Sequence, residues 1–388
     1  MMGSAAAYDM ARSPDVARIT LADADAKRAG DAATRLNRLS RGKKIHPLRA
    51  DAGNAKTMAH RMRDHDAVLS CVPYFFNLEL AKAAIQAGCH FADLGGNNTV
   101  VAQELALEKK AVKQGVALAP DCGLSPGMAS ILAGELMRRV GGKADALHIY
   151  VGGLPVKPKP PFHYQLAFSA EGLINEYVEP CRILRKRKIQ EIEPLSELEA
   201  FMMPGFPPLE AFHTSGGTST LVETFQGKVG ECFEKTLRYA GHYAMMRGLY
   251  DLGLFSSTPI QLGKQEVAPR RLLTRLFTEK FAGHAPDLVI LRVEARVKQR
   301  VASFTVVDRY DPATKMTAMM RTTAWPASVI VQMLAAGRIP KRGGVRQEID
   351  VPFDRFSKAM AERGVAIRFD DAALNRLPDD VSGRSAGA

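Results

Sequence analysis

Hydrophobic and polar positions follow two alternating rhythms through the first 125 residues. Short apolar runs predict strands over Ala17–Asp23, Lys43–Asp51, Asp66–Pro73, His90–Gly95 and Val116–Gly123. Around them, apolar residues recur at helical spacing over Ser4–Arg12, Asp25–Arg41, Ala55–His65, Phe76–Cys89 and Thr99–Gly115. Pro14 and Asp15 break the first of these helices. Strands that alternate with helices cannot pair as hairpins, so the pattern predicts βαβ units and a doubly wound parallel sheet.

The rhythm changes after Pro126. A helix over Gly127–Gly141 leads into a strand over Ala146–Pro155, and a proline-rich turn follows to Pro161. Beyond it, strands (Cys181–Ile192, Asp287–Val307) mix with helices (Lys235–Gly253, Ala268–Lys280), and Asp287–Val297 with Arg300–Val307 reads as an antiparallel pair. That mixture predicts an α+β second domain. The helix Ala327–Gly337 and the segment Phe356–Phe369 are expected to return to the first domain. The expected division is 1–124 with about 320–388 as one domain and 125–319 as the other. The last ten residues, Asp379–Ala388, read as a frayed terminus.

Composition adds three exclusions. The 388 residues carry 53 Lys and Arg against 41 Asp and Glu, a net charge of +12. The basic residues are dispersed except in CRILRKRKIQ, which lacks interleaved aromatics; it reads as a solvated hairpin, and no nucleic-acid partner is expected. No apolar run is long enough for a transmembrane helix, and the start lacks the pattern of a signal peptide. Five scattered cysteines without a CxxC pair argue against a disulfide framework and against a zinc site, and fit a reducing, cytoplasmic compartment.

A dinucleotide-binding domain opens with a strand and then G-x-G-x-x-G. Here Gly3 precedes an alanine-rich helix, and the next strand ends at Asp23, at the distance of the acid that bonds the adenosine ribose. That reading makes Gly3 the third fingerprint glycine, so a Rossmann-type first strand and two glycines are expected ahead of it. A carboxylate at Asp23 repels a 2′-phosphate and favours NAD over NADP; as the alternative, Asp23 caps the following helix.

Six segments in one order carry a resemblance: DLGG (Asp93–Gly96), APDCGLSPGM (Ala119–Met128), YVGGLPVKPKPP (Tyr150–Pro161), FSAEGL (Phe168–Leu173), LEAFHTSGGTSTL (Leu209–Leu221) and KTLRYAGH (Lys235–His242). The chain resembles the saccharopine dehydrogenase-like family over nearly its whole length, most closely its lysine 6-dehydrogenase members. The resemblance implies a Rossmann-type domain for NAD or NADP and an α+β domain for substrate binding and dimerisation. It implies NAD-dependent oxidation of L-lysine at the ε-carbon to allysine, with release of ammonia, by a homodimer or larger homo-oligomer. A saccharopine or carboxyspermidine-type enzyme is the alternative within the family. A non-catalytic, dinucleotide-sensing or interaction protein is the alternative outside enzymes.

Hydride loss from an amine-bearing carbon needs a neutral nitrogen, so the chemistry calls for a base and an anchor for the far carboxylate. Asp121, beyond a predicted strand end, is the candidate for orienting the amine or polarising a base; alternatively it bonds its own turn. His213 and His242 are the other catalytic candidates. Thr214, Ser215, Gly216, Gly217 and Thr218 offer a cradle for a carboxylate, or else a turn that caps the next helix. Arg238, with His242 one helical turn later, offers a carboxylate anchor, or else a surface salt bridge. Tyr150, Ser169 and Glu171 sit in the resembling segments and are implied to reach substrate. Val72, Pro73, Asp93, Gly95 and Gly96 follow strands and join Gly3 and Asp23 as cofactor contacts. The chemistry requires no metal.

Overall fold

The computed structural model describes residues 1–283 and 285–373. The expected frayed terminus lies outside the described residues. The first half runs α1 (Met2–Arg12), β1 (Ile19–Asp23), α2 (Ala26–Leu39), β2 (Ile45–Arg49), α3 (Ala55–Met62), β3 (Ala67–Ser70), α4 (Asn77–Ala87), β4 (His90–Asp93), α5 (Asn98–Leu105), α6 (Glu108–Gln114) and β5 (Ala117–Ala119). Every predicted strand and helix of this region is present. One expected helix, Thr99–Gly115, is two, because the chain turns between Leu105 and Glu108.

All pairings here are parallel, but they form two sheets: β1 with β2, and β3–β4–β5. The facing edges of β1 and β3 are not paired with each other. A doubly wound sheet sets one more parallel strand at that position, and the fingerprint reading expects its first strand there. A hydrogen bond between His65 Nε2 and Thr20 Oγ1 (2.8 Å) links the two halves instead.

After β5 come α7 (Ala129–Arg139), β6 (Ala144–Pro155), α8 (Ala170–Glu176), the hairpin β7 (Cys181–Arg185) and β8 (Lys188–Ile192), β9 (Glu199–Phe201), β10 (Leu209–His213), α9 (Leu221–Phe225), β11 (Val229–Tyr239) and α10 (His242–Asp251). The small hairpin β12 (Ile260–Leu262) and β13 (Gln265–Val267), α11 (Pro269–Phe281), β14 (Asp287–Val297) and β15 (Arg300–Arg309) follow. The basic run is the β7–β8 hairpin, as expected, with Lys186 and Arg187 at its turn. The large sheet has the order β17 (Arg368–Ala373), β15, β14, β6, β11, β10, β9, with β7 also on β11. Its inner face (Leu147, Ile149, Leu291, Val293, Phe304) packs on α7 and α12 (Ala318–Ala335).

α12 is apolar on nearly every side because it is packed on nearly every side. It touches β3, β4 and α1 of the parallel half and β14 and β15 of the large sheet. The final segment, expected to belong wholly to the first domain, is shared. The short β16 (Gly343–Gly344) pairs with β5, α13 (Gln347–Asp350) and α14 (Phe353–Glu362) pack on α7, and β17 (Arg368–Ala373) pairs with β15. β17 continues the sheet along the free edge of β15, from Arg368 opposite Thr305 to Ala373 opposite Arg300.

Candidate active site

Two clusters of buried polar groups are linked by the loop Thr214–Ser219, which bonds Glu234 at one end and Asp121 at the other. The first sits at the carboxyl ends of β4 and β5. Asp93 Oδ1 accepts from the backbone amides of Gly95 (2.6 Å) and Asp121 (3.2 Å). Asp121 has φ 61° and is 2% exposed. A side chain at Gly95 would run into its carboxylate, so glycine is needed there for space as well as for its positive φ. Ser219, from the loop after β10, donates to Asp121 Oδ2. Burial raises the Asp121 carboxyl to about 7, with the Asp93 charge adding to the rise and the Ser219 bond opposing it. Asp121 therefore gains and loses its proton near neutrality, which is what a general base requires.

The second cluster lies on the large sheet and on the helices that cover it. Glu234, Thr236 and Arg238 alternate along β11, so all three face one way. Arg238 is 4% exposed, yet no carboxylate among the described residues forms an ion pair with it. One nitrogen donates to the Leu237 carbonyl (2.9 Å), and Nε has no partner. The guanidinium lies 5.1 Å from the ring centre of Tyr164, whose hydroxyl is also unpartnered.

His242 closes this cluster. Its Nδ1 lies 2.8 Å from the Phe162 carbonyl, which can only accept, so Nδ1 carries the proton and Nε2 accepts from the Tyr177 hydroxyl (3.0 Å). Burial, and then the Arg238 charge, push the imidazole down to about 3, so it is neutral. Burial raises Glu176 to about 7 against the pull of Arg238, and raises Glu234 well above its usual range.

The other sequence candidates divide. His213 is buried but lies on the opposite face of the sheet, edge-on to Phe233; its nitrogens are occupied by the Glu234 carbonyl and Glu197 (both 3.2 Å). Alternation along β10 sends Phe212 toward His242 and His213 away from it. Tyr150 shares that far face, against Phe201 and Phe233. The expected cradle is closed: Thr214 donates to Glu234 (3.2 Å), Ser215 to the Pro180 carbonyl (3.0 Å) and Thr218 to the Arg182 carbonyl (2.8 Å). Gly216 and Gly217 let this loop turn and pass over Glu234. Ser169 caps α8, and Glu171 is an exposed partner of Arg270 (2.9 Å). Arg238 and His242 do not share a helix face, because Lys235 to Tyr239 are strand; they meet across the turn into α10.

The cofactor candidates gather at one edge. α1 begins without a side-chain cap, leaving its first amides open, and Gly3 sits against Cys71 at the end of β3. Val72 and Pro73 follow β3 and are exposed. Asp23 ends β1, and its Oδ1 accepts from the Asp25 amide (3.0 Å), while Asp25 itself caps α2. Uncovered helix amides, a close-approach glycine and an acid at the next strand end fit a dinucleotide.

A two-domain oxidoreductase fold with a dinucleotide-type first domain is the class these features define. The chain belongs to the saccharopine dehydrogenase family: residues 1–118 match the model described as Saccharopine dehydrogenase NADP binding domain, and residues 123–365 match Saccharopine dehydrogenase C-terminal domain. It is 26% identical over 220 residues to a saccharopine dehydrogenase [NADP(+), L-glutamate-forming] from Schizosaccharomyces pombe, covering 54% of this chain and 47% of that protein. It is 22% identical over 257 residues to mitochondrial alpha-aminoadipic semialdehyde synthase from Mus musculus, covering 62% and 27%. The matched region is thus about half or less of these relatives' length. The solved apo saccharopine dehydrogenase (L-Glu forming) from Saccharomyces cerevisiae shares the fold, with a TM-score of 0.74 at 19% identity over 96% of this chain and 98% of that one.

Proposed function

We propose that this chain oxidises L-lysine at its ε-carbon with NAD, and that water hydrolyses the resulting imine to allysine and ammonia. The observation that carries this reading is the charge balance of the second cluster: one buried cation, Arg238, beside one buried acid, Glu234, and one half-buried acid, Glu176. Lysine brings one carboxylate and an ammonium head. Saccharopine brings three carboxylates and would ask for further cations.

In this reading Arg238 takes the α-carboxylate, and Glu176 and Glu234 receive the α-ammonium. Asp121, at the far end of the aliphatic chain, accepts a proton from the ε-ammonium and frees the nitrogen lone pair. Ser219 holds the Asp121 carboxylate in place through its hydrogen bond. Tyr164 and the neutral His242–Tyr177 pair keep water away from Arg238 without adding charge. A bound nicotinamide supplies the hydride acceptor. The residues that would hold the dinucleotide are the first turn of α1 at Gly3, Asp23, Val72, Pro73 and the Asp93–Gly96 turn. Asp23 supports NAD.

A second reading, saccharopine with NADP, is supported by the printed names of the relatives. The test follows NADH or NADPH formation with lysine or saccharopine, at mildly alkaline pH. It uses this chain and a fusion that adds an apolar strand ending in Gly-x-Gly ahead of Met1. Lysine-dependent NADH formation supports the proposal. Saccharopine-dependent NADPH formation replaces it with the second reading.

A further inference from the structure

Glu104 on α5 is 1% exposed, and neither of its carboxyl oxygens has a hydrogen-bond donor among the described residues. Asp93, fully buried at the end of β4, has one oxygen in the same condition: Oδ2 is unpartnered, while Oδ1 accepts the Gly95 and Asp121 amides. The Glu104 and Asp93 side chains lie within hydrogen-bonding reach of each other. Two ionised carboxylates in a dry contact repel strongly, and each would lack donors. One proton between them turns one group into a donor and the other into its acceptor, so the orphaned contact becomes a hydrogen bond.

We propose that Glu104 is a positioning residue: as a carboxylic acid it donates to Asp93 Oδ2 and so holds Asp93 as a single carboxylate against the amides of Gly95 and Asp121. This rests on the assignment of Asp121 as the base, and it deepens that assignment. Glu104 reaches neither the base nor the substrate site and acts through Asp93. The charged groups that face it are Asp93 from β4 and Asp121 from the turn after β5. Glu348 on α13 faces Asp121 in turn and itself feels the Arg346 charge, and the Cys122 thiol lies beside them; no cation among the described residues offsets Glu104, Asp93 or Asp121. Burial raises Glu104 most, and the Asp93 charge raises it further, so the proton resides on Glu104. The charge left on Asp93 then helps lift Asp121 toward neutrality.

The test needs no substrate, so it stands apart from the lysine reading. An infrared difference spectrum at pH 8 between the wild type and Glu104→Gln should show the loss of a protonated carboxyl band that moves in D2O. Loss of ionised carboxylate bands instead would overturn the proposal. Titration of Asp121 is then followed by NMR on aspartate-labelled protein. Glu104→Gln, which keeps a donor toward Asp93, should leave the midpoint in place. Glu104→Leu leaves Asp93 unsupported, so Asp93 takes up a proton itself and the proton affinity of Asp121 falls about tenfold. Equal shifts in the two variants would reduce Glu104 to a space-filling role and overturn the idea. If Glu104→Leu does not fold, the infrared result on Glu104→Gln still decides.

Discussion

The two halves of this molecule build their sheets in opposite ways. The large sheet runs strands of up to 12 residues in continuous antiparallel and parallel ladders, with β14 paired to β15 from Leu288 to Val297. The parallel half uses strands of 3 to 5 residues for β1 to β5, and its ladder is interrupted between β1 and β3. The contrast separates the source of rigidity from the source of chemistry. A long ladder supplies a fixed surface, on which Arg238 and Glu234 can be held without solvent. Short parallel strands end together, and their ends converge on Asp93 and Asp121.

The largest effect should come from breaking the long ladder. Leu291→Asp sets an unpaired charge in the shared core and should abolish soluble expression, at a cost of about 4 kcal/mol or more. Ile45→Asp in β2 should leave folded protein in which α12 and the large sheet resist hydrogen exchange while β1 and β2 do not. Equal outcomes for the two variants would mean that the halves fold as one unit.

Kinetics should separate the halves next, with whichever substrate proves active. Asp121→Asn should lower kcat by about 100-fold or more, the usual contribution of a general base. Arg238→Ala should act mainly on KM, raising it by roughly 100-fold, or about 2.7 kcal/mol of carboxylate binding. If Asp121→Asn moved only KM, Asp121 would not be the base. In the wild type, turnover should fall as pH drops below about 7, where Asp121 takes up its proton.

Stability should answer pH with opposite signs in the two halves. Asp121 has a folded pKa above its ordinary 3.8, so the folded state binds the extra proton first. Its penalty is full above about 7 and is relieved as pH falls toward 3.8. Asp121→Asn should therefore raise Tm more at pH 8 than at pH 5. His242 has a folded pKa near 3, below its ordinary 6.5, so the unfolded state binds the proton first and stability is lost as pH falls through that window. His242→Gln should flatten that acid loss. The smallest effect should be Asp25→Ala, which removes the α2 cap and should lower the urea midpoint slightly.

Much of this architecture was legible in the sequence because its signals are local. Gly and Pro punctuation, with helical and strand periods, located β1 to β5 and the helices among them, apart from the turn that divides α5 from α6. The unpaired edges of β1 and β3 lie where the fingerprint reading sets its first strand. The misreading of Lys235–Tyr239 as helix shows the opposite case. Phe233, Lys235 and Leu237 alternate with Glu234, Thr236 and Arg238, a period of two, but both sets are buried and the pattern lacks a solvated face. Read as a strand, that run would have set Glu234 and Arg238 on one face. Asp121 was legible from its place at a strand end. Glu104, Glu176 and Ser219 were not, because their partners lie far along the chain and only the fold brings them close.

The first helix has to wait for its neighbours. Asp9, buried in α1, is held by Ser328 on α12 (2.7 Å) and by Arg363 beyond α14 (2.7 Å), groups more than three hundred residues later. A ribosome releases the chain from its amino end, so α1 emerges long before anything exists to clasp it. The large sheet, whose main ladder from β6 to β15 is complete by Arg309, can assemble while α1 is still searching. Translation therefore finishes the domain it began with last, and the site at the junction comes into being only when the final helices arrive.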